Sequence, residues 1–316
     1  MTTPGTYPST TAISFSQVNS VFALTTPSPM NNKFRFPTAS YSPASSPIPT
    51  TLNATFPMNI LHGRTYAAPF VNIYTVTGIQ TYISPVTRNV TLLAVGGGGA
   101  GGQTNLTPSL RGGGGGAGGY IFYNQSFPVV AGRTYSFVVG AGGAGPGGVV
   151  NVNGNSGGVT KLDDGTSVLV LALGGGGGGG TGGGGSGGSG GGNNSTGGAA
   201  GSSSNPAQGF PGGTSAPARA GGGGGMGTSG GPGPAPTVAQ SSGGNGLSFT
   251  INGTVYSIGG GGSGGGYGSS NQTFGGGQSA PVVIEANKYG AGGHGISPTT
   301  TTGGAGFPGV LIISYP

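Results

Sequence analysis

The side chains able to act as acids, bases or metal ligands are few in this chain. Two histidines and three acidic residues are present: His62, His294, Asp163, Asp164 and Glu285. A serine catalytic triad needs a histidine between a serine and a carboxylate, and a metal site needs several closely spaced ligands. No grouping has metal-ligand spacing, and no lysine follows a glycine as in a phosphate-binding loop. We therefore expect a non-enzymatic protein with no catalytic, cofactor-binding or metal-binding residues.

The two adjacent acids have a simpler structural explanation. Asp163 and Asp164 precede Gly165, and they separate the run Val159–Leu162 from the run Val168–Leu171. Asp-Gly is a favoured tip of a tight β-hairpin. The pattern predicts a turn here rather than a catalytic pair of carboxylates.

Glycine organises the rest of the chain. Of the 81 glycines, 78 follow Val95, in blocks separated by short apolar segments. Because ordering glycine costs much backbone entropy, such blocks are either flexible linkers or parts of a regular structure. No Gly-X-Y period is present, which excludes collagen. We predict a bundle of left-handed extended helices with three residues per turn, in which central helices are pure glycine and backbone hydrogen bonds join neighbours.

Residues other than glycine recur at intervals of three within several blocks. On a helix with three residues per turn such positions share one side, so we expect them to face outward. The series are Ala141 and Ala144; Ser186 and Ser189; Ala291, His294 and Ser297; and Thr302, Ala305 and Pro308.

Patterns typical of β-strands precede and separate the glycine blocks. The predicted strands are Val71–Val76, Thr81–Ile83, Val90–Val95, Tyr120–Tyr123, Phe127–Val130, Thr134–Val139, Val282–Ile284 and Val310–Tyr315, with turns at Asn124–Gln125 and Ala131–Gly132. We expect the last strand to lie centrally in a sheet. The fold class is therefore all-β, with short strands and hairpins framing polyglycine helices and almost no α-helix.

A second hairpin can be predicted with its register. Asn252-Gly253 is the pair preferred in a two-residue turn, and it joins Leu247–Ile251 to Thr254–Ile258. Such a turn pairs Ile251 with Thr254, Phe249 with Tyr256 and Leu247 with Ile258. The large apolar side chains then share one face, as a half-buried ribbon requires.

Composition and charge exclude several classes of partner. Charged residues are 4% of the chain and the net charge is +6, but the nine basic residues are scattered. Since phosphate binding needs clustered basic residues, we expect no nucleic-acid partner. The longest apolar run, Val168–Leu173, is far shorter than the ~20 residues that span a bilayer. The N-terminus has no basic region followed by an apolar one, so we expect no secretory signal peptide and no membrane span.

Residues 1–62 form a separate region, rich in proline, threonine and serine. One helix turn is predicted within Ile13–Phe22, and the proline-rich remainder predicts an extended arm. We expect this arm to serve assembly, through the apolar side chains of Ile13, Phe15, Val18, Val21, Phe22, Phe34 and Phe36. Residues 63–316 are predicted to form the glycine-rich body.

Three stretches resemble a known family. Thr75–Gly99 is similar to the entry strands of a glycine-rich domain of virion proteins, Phe127–Gly143 to its second element and Gly303–Tyr315 to its terminal strand. The resemblance covers roughly residues 75–316. The family occurs in bacteriophage tail-fibre adhesins, in structural proteins of large DNA viruses and, as a similar domain, in the ectodomain of anaplastic lymphoma kinase receptors. Ile13–Phe22 with Asn31–Phe34 resembles a segment that precedes such domains in viral proteins.

The resemblance implies a β-framed bundle of polyglycine helices and leaves the ligand open. We expect a virion structural protein, such as a surface fibre, tip or decoration subunit, that self-associates as a homo-oligomer or fibre and contacts other virion proteins. Its location would be the virion surface, and extracellular after release. One alternative is an adhesin for a host surface glycan or protein, and another is an ice-binding or extracellular matrix protein.

Loops that interrupt the glycine blocks are the expected recognition sites, because a rigid frame can present them. These loops are Thr104–Arg111, Asn193–Ala220, Pro232–Ser242 and Tyr267–Phe274. The candidate recognition residues are Asn105, Arg111, Arg219, Tyr267 and Asn271.

Overall fold

The computed structural model describes residues 5–6, 65–66, 70–105, 111–216, 219–233, 241–265, 289–296 and 302–315. Twelve strands are defined: β1 (Gly5–Thr6), β2 (Thr65–Tyr66), β3 (Phe70–Tyr74), β4 (Gly78–Ile83), β5 (Arg88–Val95), β6 (Tyr120–Val129), β7 (Thr134–Val139), β8 (Thr160–Asp163), β9 (Val168–Ala172), β10 (Leu247–Ile251), β11 (Thr254–Ile258) and β12 (Val310–Tyr315). The described residues contain no α-helix, which confirms the predicted all-β class. The predicted helix turn at Ile13–Phe22 and the predicted strand Val282–Ile284 lie outside them.

The strands form two four-stranded antiparallel sheets and two short ribbons. The inner sheet has the order β3-β12-β5-β6, and the outer sheet has the order β4-β7-β8-β9. The ribbons are β10–β11 and β1–β2, and the second of these pairs residues 5–6 with residues 65–66. Strand β12 lies between β3 and β5, as expected for the terminal apolar run.

The two central strands of the inner sheet, β12 and β5 from Val90 onward, are buried on both faces. One face packs against the outer sheet, where Leu92 of β5 and Leu311 of β12 share a core with Phe137 of β7. The other face packs against the β10–β11 ribbon, where Leu93 of β5 shares a second core with Phe249. A strand covered on both sides carries consecutive apolar residues, which explains the runs Leu92–Val95 in β5 and Val310–Ile313 in β12. Each large side chain fully buried in these cores contributes about 1.5–3 kcal/mol.

The β10–β11 ribbon has the predicted register. Ile251 pairs with Thr254, Phe249 with Tyr256 and Leu247 with Ile258. The turn residues Asn252 and Gly253 have φ of 48° and 78°, as a turn with two left-handed residues requires. The large apolar side chains face the inner sheet, where Phe249 packs between the rings of Tyr120 and Phe122.

The predicted turn at Asn124–Gln125 is wrong, because β6 continues through it. The strand runs from Tyr120 to Val129, and its pairing with β5 shifts register between Val90 and Leu92. Gln125 takes a φ of 52°, and its N–H donates to Oγ1 of Thr91 (3.1 Å). The extra residues of β6 form a β-bulge within one continuous strand. The turn predicted at Ala131–Gly132 is present.

All the strand ends that meet the glycine segments lie at one end of the sandwich. Val95, the last residue of β5, pairs with Val310 and Tyr120, the first residues of β12 and β6. In the outer sheet, Val139 at the end of β7 pairs with Gly78. The glycine segments therefore leave the sandwich in one direction, and the sheets fix the spacing from which they start.

Candidate functional site: the glycine bundle and its tip

The glycine segments beyond the sandwich are joined by backbone hydrogen bonds into one body, here called the glycine bundle. Its segments are residues 96–103, 112–119, 140–145, 152–158, 173–180, 183–192, 199–204, 210–213, 221–226, 230–231, 241–245, 259–265, 290–296 and 303–309. Donor–acceptor distances between segments are close to 2.8 Å: Gly99 N–H donates to the Gly116 carbonyl and Gly293 N–H to the Gly99 carbonyl, both at 2.8 Å. These distances are those of ordinary strong backbone hydrogen bonds.

Successive residues of one segment donate hydrogen bonds to different neighbouring segments in turn, with a period of three residues. Within 96–103, the N–H groups of residues 96, 99 and 102 donate to segment 113–119, and those of 97, 100 and 103 donate to segment 152–158. Residues 98 and 101 donate to segment 304–307. This is the hydrogen-bonding period that helices with three residues per turn would give. The predicted left-handed polyglycine helix itself stays a prediction.

In the described part of the chain, three segments, 96–103, 112–119 and 221–226, are each hydrogen-bonded to six neighbours, and the first two are called the central segments here. Segment 96–103 donates to three neighbours and accepts from three more, at Gly143, 175–178 and 293–296. Segment 112–119 is bonded in the same way to six neighbours: 96–102, 173–179, 189–192, 221–224, 262–265 and 290–293. These two central segments hold the bundle together.

The packing around the central segments explains why they are glycine. A Cβ added at Gly99 would lie 2.2 Å from the carbonyl oxygen of Gly176, and one at Gly113 would lie 2.0 Å from that of Gly192. Contacts this short require the neighbouring backbone to move. The exceptions are Ala100 and Ala117, whose methyl groups are completely buried. The prediction of pure glycine in central segments is therefore corrected at these two residues, where the packing accommodates a methyl group.

The outward direction predicted for the three-residue series holds for some series and fails for others. Ala141 and Ala144 are exposed, and so are all three members of the series Thr302, Ala305 and Pro308. Ser186 is exposed as well.

Two members of the other series are buried instead. Ala291 and Ser189 have no exposed surface, because another segment packs against that side of each. The Ser189 hydroxyl donates to the Gly225 carbonyl (3.1 Å). Ser297 lies outside the described residues.

His294 is half-buried within the bundle. Its ring lies against Gly304, at a place where an added Cβ would meet the imidazole. Burial lowers the pKa of His294 below its usual 6.5, since the charged ring would lose water there. The ring is therefore neutral at pH 7 and fills space between segments.

The adjacent acids lie where the sequence placed them, at a turn. Asp163 ends β8, and the Asp164 carboxylate accepts hydrogen bonds from the N–H groups of Thr166 (3.0 Å) and Ser167 (2.9 Å). It also pairs with the Arg133 guanidinium at 2.6 Å. The bonds from Thr166 and Ser167, with a smaller contribution from Arg133, lower the pKa of Asp164 to about 2. These contacts close the β8–β9 loop.

The end of the bundle farthest from the sandwich, here called the tip, collects polar side chains. It comprises Gln103, Thr104, Asn105, Arg111, Asn151, Asn193, Asn194 and Ser195, with Ser215 and Arg219 beside them. Backbone bonding places these residues together, because Arg111 and Ser195 exchange bonds and Gly221 N–H donates to Asn193. Three of the candidate recognition residues, Asn105, Arg111 and Arg219, thus lie at one end of the molecule.

Exposure differs among these three residues. Arg111 is 4% exposed, and its N–H donates to Ser195 Oγ (2.7 Å). Asn105 and Arg219 are partly exposed, and Asn105 N–H donates to Asn151 Oδ1 (3.0 Å). Arg111 is therefore placed to hold the tip together, while Asn105 and Arg219 reach its surface. Tyr267 and Asn271 lie outside the described residues.

Within the described residues, three buried oxygens at the tip have no hydrogen-bond partner. They are Oγ1 of Thr104, Oδ1 of Asn105 and Oδ1 of Asn193, and Thr104 and Asn193 are each 1% exposed. The Asn193 amide nitrogen is bonded to the Gly198 carbonyl (2.6 Å) and to Ser215 Oγ (3.1 Å). Sequence reasoning named the loop that begins at Asn193 but missed this residue, because its burial depends on segments distant in sequence.

The described residues hold neither a cluster of metal-binding side chains nor a membrane-spanning helix. No group of three His, Cys, Asp or Glu side chains lies close enough together there to hold a metal ion. No helix with the length and apolar character needed to cross a membrane occurs in that part of the chain.

Comparison with known proteins extends this description. No curated protein matches the chain. The model of a family described as a glycine-rich domain matches residues 75–316, from the turn after β3 through the sandwich and the whole glycine bundle. On that match the chain belongs to the glycine-rich domain family.

Proposed function

We propose that this protein is a non-enzymatic structural protein of a virus particle, acting as a surface fibre, tip or decoration subunit. Residues 63–316 form a stiff body, and residues 1–62 form an arm for assembly with sister subunits and other virion proteins. The observation that supports this most directly is the pair of central segments, each bonded to six neighbours. Such cross-linking suits a load-bearing element better than a catalyst.

The bonding makes local opening of the body unfavourable. Each backbone hydrogen bond contributes about 1 kcal/mol net, and a central segment makes bonds on every side. Removing one segment from the bundle breaks its bonds to several partners at once, so fraying at one point is opposed by the rest. A protease needs a locally opened chain, and we therefore expect the body to resist proteolysis.

The proposed location at the particle surface is based on a resemblance to virion proteins, which is carried by Thr75–Gly99, Phe127–Gly143 and Gly303–Tyr315. The arm fits assembly because its apolar side chains, such as Val18, Val21 and Phe22, are spaced to share one face of a helix turn. An apolar face of this kind is stabilised by packing against another surface.

Electron microscopy of the full-length chain and of a variant lacking residues 1–62 tests the proposal. Fibres or closed oligomers from the full chain, with discrete bodies from the truncated one, are expected. Substituting Val18→Asp and Phe22→Asp should abolish assembly, whereas Ser16→Asp and Asn19→Asp add the same charge off the apolar face and should leave it intact. Compact monomers from every sample would refute an assembly role for the arm.

A host-surface adhesin is the second candidate, and the tip favours it. Asn105 and Arg219 reach the surface there, beside the buried polar oxygens of Thr104 and Asn193. Polar groups on a rigid frame suit sugar or protein contacts. Arg219→Ala should reduce cell or glycan binding and leave assembly unchanged, with Arg133→Ala, at the opposite end of the molecule, as the matched control. Equal binding by all three proteins would exclude the tip as a receptor site.

A further inference from the structure

Within the part of the chain that the structure describes, the outer sheet is covered on one face only. Its inward side chains pack against the inner sheet, whereas its other face carries apolar side chains in contact with solvent. The exposed fractions are 83% for Ile79, 58% for Ile83, 37% for Leu169 and 42% for Leu171. The central strands of the inner sheet, in contrast, are covered on both faces. An apolar sheet face left open in this way is typical of an interaction surface.

The strand register arranges the open face in rows across the sheet. One row contains Ile79, Val138, Lys161 and Leu171, in the order β4, β7, β8, β9. The next row contains Thr81, Ser136, Asp163 and Val168. Each row thus carries one charged residue on β8, an interior strand, and its edge positions are apolar except for Thr81.

The two charges form a loose pair in the middle of this face. Lys161 Nζ lies 3.7 Å from Asp163 Oδ2, and their side chains remain 39% and 21% exposed. A purely apolar partner would take water from both groups without replacing its hydrogen bonds, which is costly. A partner with charge of a single sign would satisfy one group and repel the other. The surface that suits this face carries one positive and one negative group at the same spacing.

We propose that this partner is the same face of a second copy of the chain. Two outer sheets pack face to face about a two-fold axis that runs across the strands, between the two rows. The axis places Lys161 of each copy opposite Asp163 of the other, so that the charges complement one another twice. Apolar side chains of the edge strands pack on both sides of the charged centre, as in aligned sheet packing.

The size of the face sets the strength of the pairing. Four strands about 4.8 Å apart, with about five residues each at roughly 3.4 Å, give a face of roughly 330 Å². A standard interface buries about 800 Å² from each partner, so the isolated pair is weak. Subunits held together by their arms would meet at a high effective concentration, which raises the occupancy of a weak contact. This last step rests on the proposed function, while pairing of isolated chains in solution does not.

A charge-exchange experiment on the full-length chain tests the pairing. Sedimentation equilibrium measures the self-association of wild type, of Lys161→Asp, of Asp163→Lys and of an equal mixture of the two variants. Each variant alone places like charges opposite each other, and we expect its association constant to fall at least tenfold. The mixture places two positive groups opposite two negative ones and should restore association. Val255→Asp, on the exposed side of the β10–β11 ribbon, is the matched control and should associate as wild type does.

Each remaining outcome overturns the pairing. Wild-type association in both variants, or a mixture that associates no better than either variant alone, excludes the outer-sheet face. The chain lacking residues 1–62 separates this result from the proposed function. If that truncation abolishes association while Lys161→Asp does not, the arm alone drives assembly and the outer sheet plays no part. If no sample associates, neither the arm nor the outer-sheet face drives self-association. Melting curves of all variants establish that each is folded.

Discussion

Adding one methyl group to a central segment, in the variant Gly99→Ala, should destabilise the body strongly. The new Cβ would lie 2.2 Å from the Gly176 carbonyl oxygen, which accepts a bond from Gly116 N–H. Gly99 itself donates to the Gly116 carbonyl and accepts from Gly293 N–H. Moving the backbones apart therefore weakens two or three hydrogen bonds, at about 1 kcal/mol each.

The expected size of the effect follows from three contributions. Weakened bonds cost about 2–3 kcal/mol, and overpacking in a close-packed interior costs about 1–3 kcal/mol. Replacing glycine by alanine restricts the unfolded chain and returns about 0.5–1 kcal/mol. The net loss is about 2–5 kcal/mol, which lowers the melting temperature of a body of this size by roughly 5–15 °C.

Differential scanning calorimetry with a matched variant decides the matter. Gly182→Ala makes the same chemical change where an added Cβ meets nothing within 4 Å, so it should leave the melting temperature unchanged or raise it slightly. A second comparison is Ala100→Gly, which removes a buried methyl group from the same segment and should destabilise moderately. If Gly99→Ala and Gly182→Ala melt together, close packing does not explain the glycine of the central segments.

Three further predictions concern single residues. Gly253→Ala should cost about 1–2 kcal/mol in a melting experiment, because Gly253 has a φ of 78° with open space around it; an unchanged melting temperature would show that the turn tolerates a side chain. The pKa of Asp164 is lowered to about 2 from its usual 3.8, so the stability it contributes is complete above about pH 4 and lost as the pH falls towards 2. Protection of the Thr166 and Ser167 amides, relative to their intrinsic exchange rates at each pH, should fall over that window in wild type, and a similar fall in Asp164→Asn would contradict the assignment. The pKa of His294 is lowered by burial, so the folded state binds fewer protons than the unfolded one and stability should fall as the pH drops below about 6.5; His294→Gln should flatten that pH profile of melting temperature, and an unaltered profile would assign it to other groups.

Local structure could be predicted wherever neighbouring residues decide it. The β10–β11 ribbon has the predicted register, because Asn252 and Gly253 specify the turn and alternation specifies the face. The same holds for the β8–β9 loop at Asp164. The bulge at Gln125 was missed, since the residues around it resemble a turn and only pairing with Thr91 on β5 shows that the strand continues.

The partners of each element could not be predicted from the sequence. The residues of β7 and β12 do not indicate which of the two sheets each strand joins. The consecutive strands β3 and β4 belong to different sheets, and this depends on tertiary packing. The same limit applies at the tip, where Asn193 is buried by segments that lie far away along the chain. The burial of Ala291 and Ser189 has this cause too, because spacing gives the side of a segment but not its neighbour.

The composition of the glycine bundle has a calorimetric consequence. Unfolding an ordinary protein exposes apolar surface, which raises the heat capacity, and peptide groups, which lower it. The central segments bury peptide groups almost alone, with Ala100, Gln103 and Ala117 as their buried side chains. The heat-capacity change on unfolding the bundle is therefore smaller per residue than the usual ~12–15 cal/mol/K. A smaller heat-capacity change flattens the curve of stability against temperature, so the bundle keeps its stability from cold to warm conditions more evenly than the sandwich that supports it.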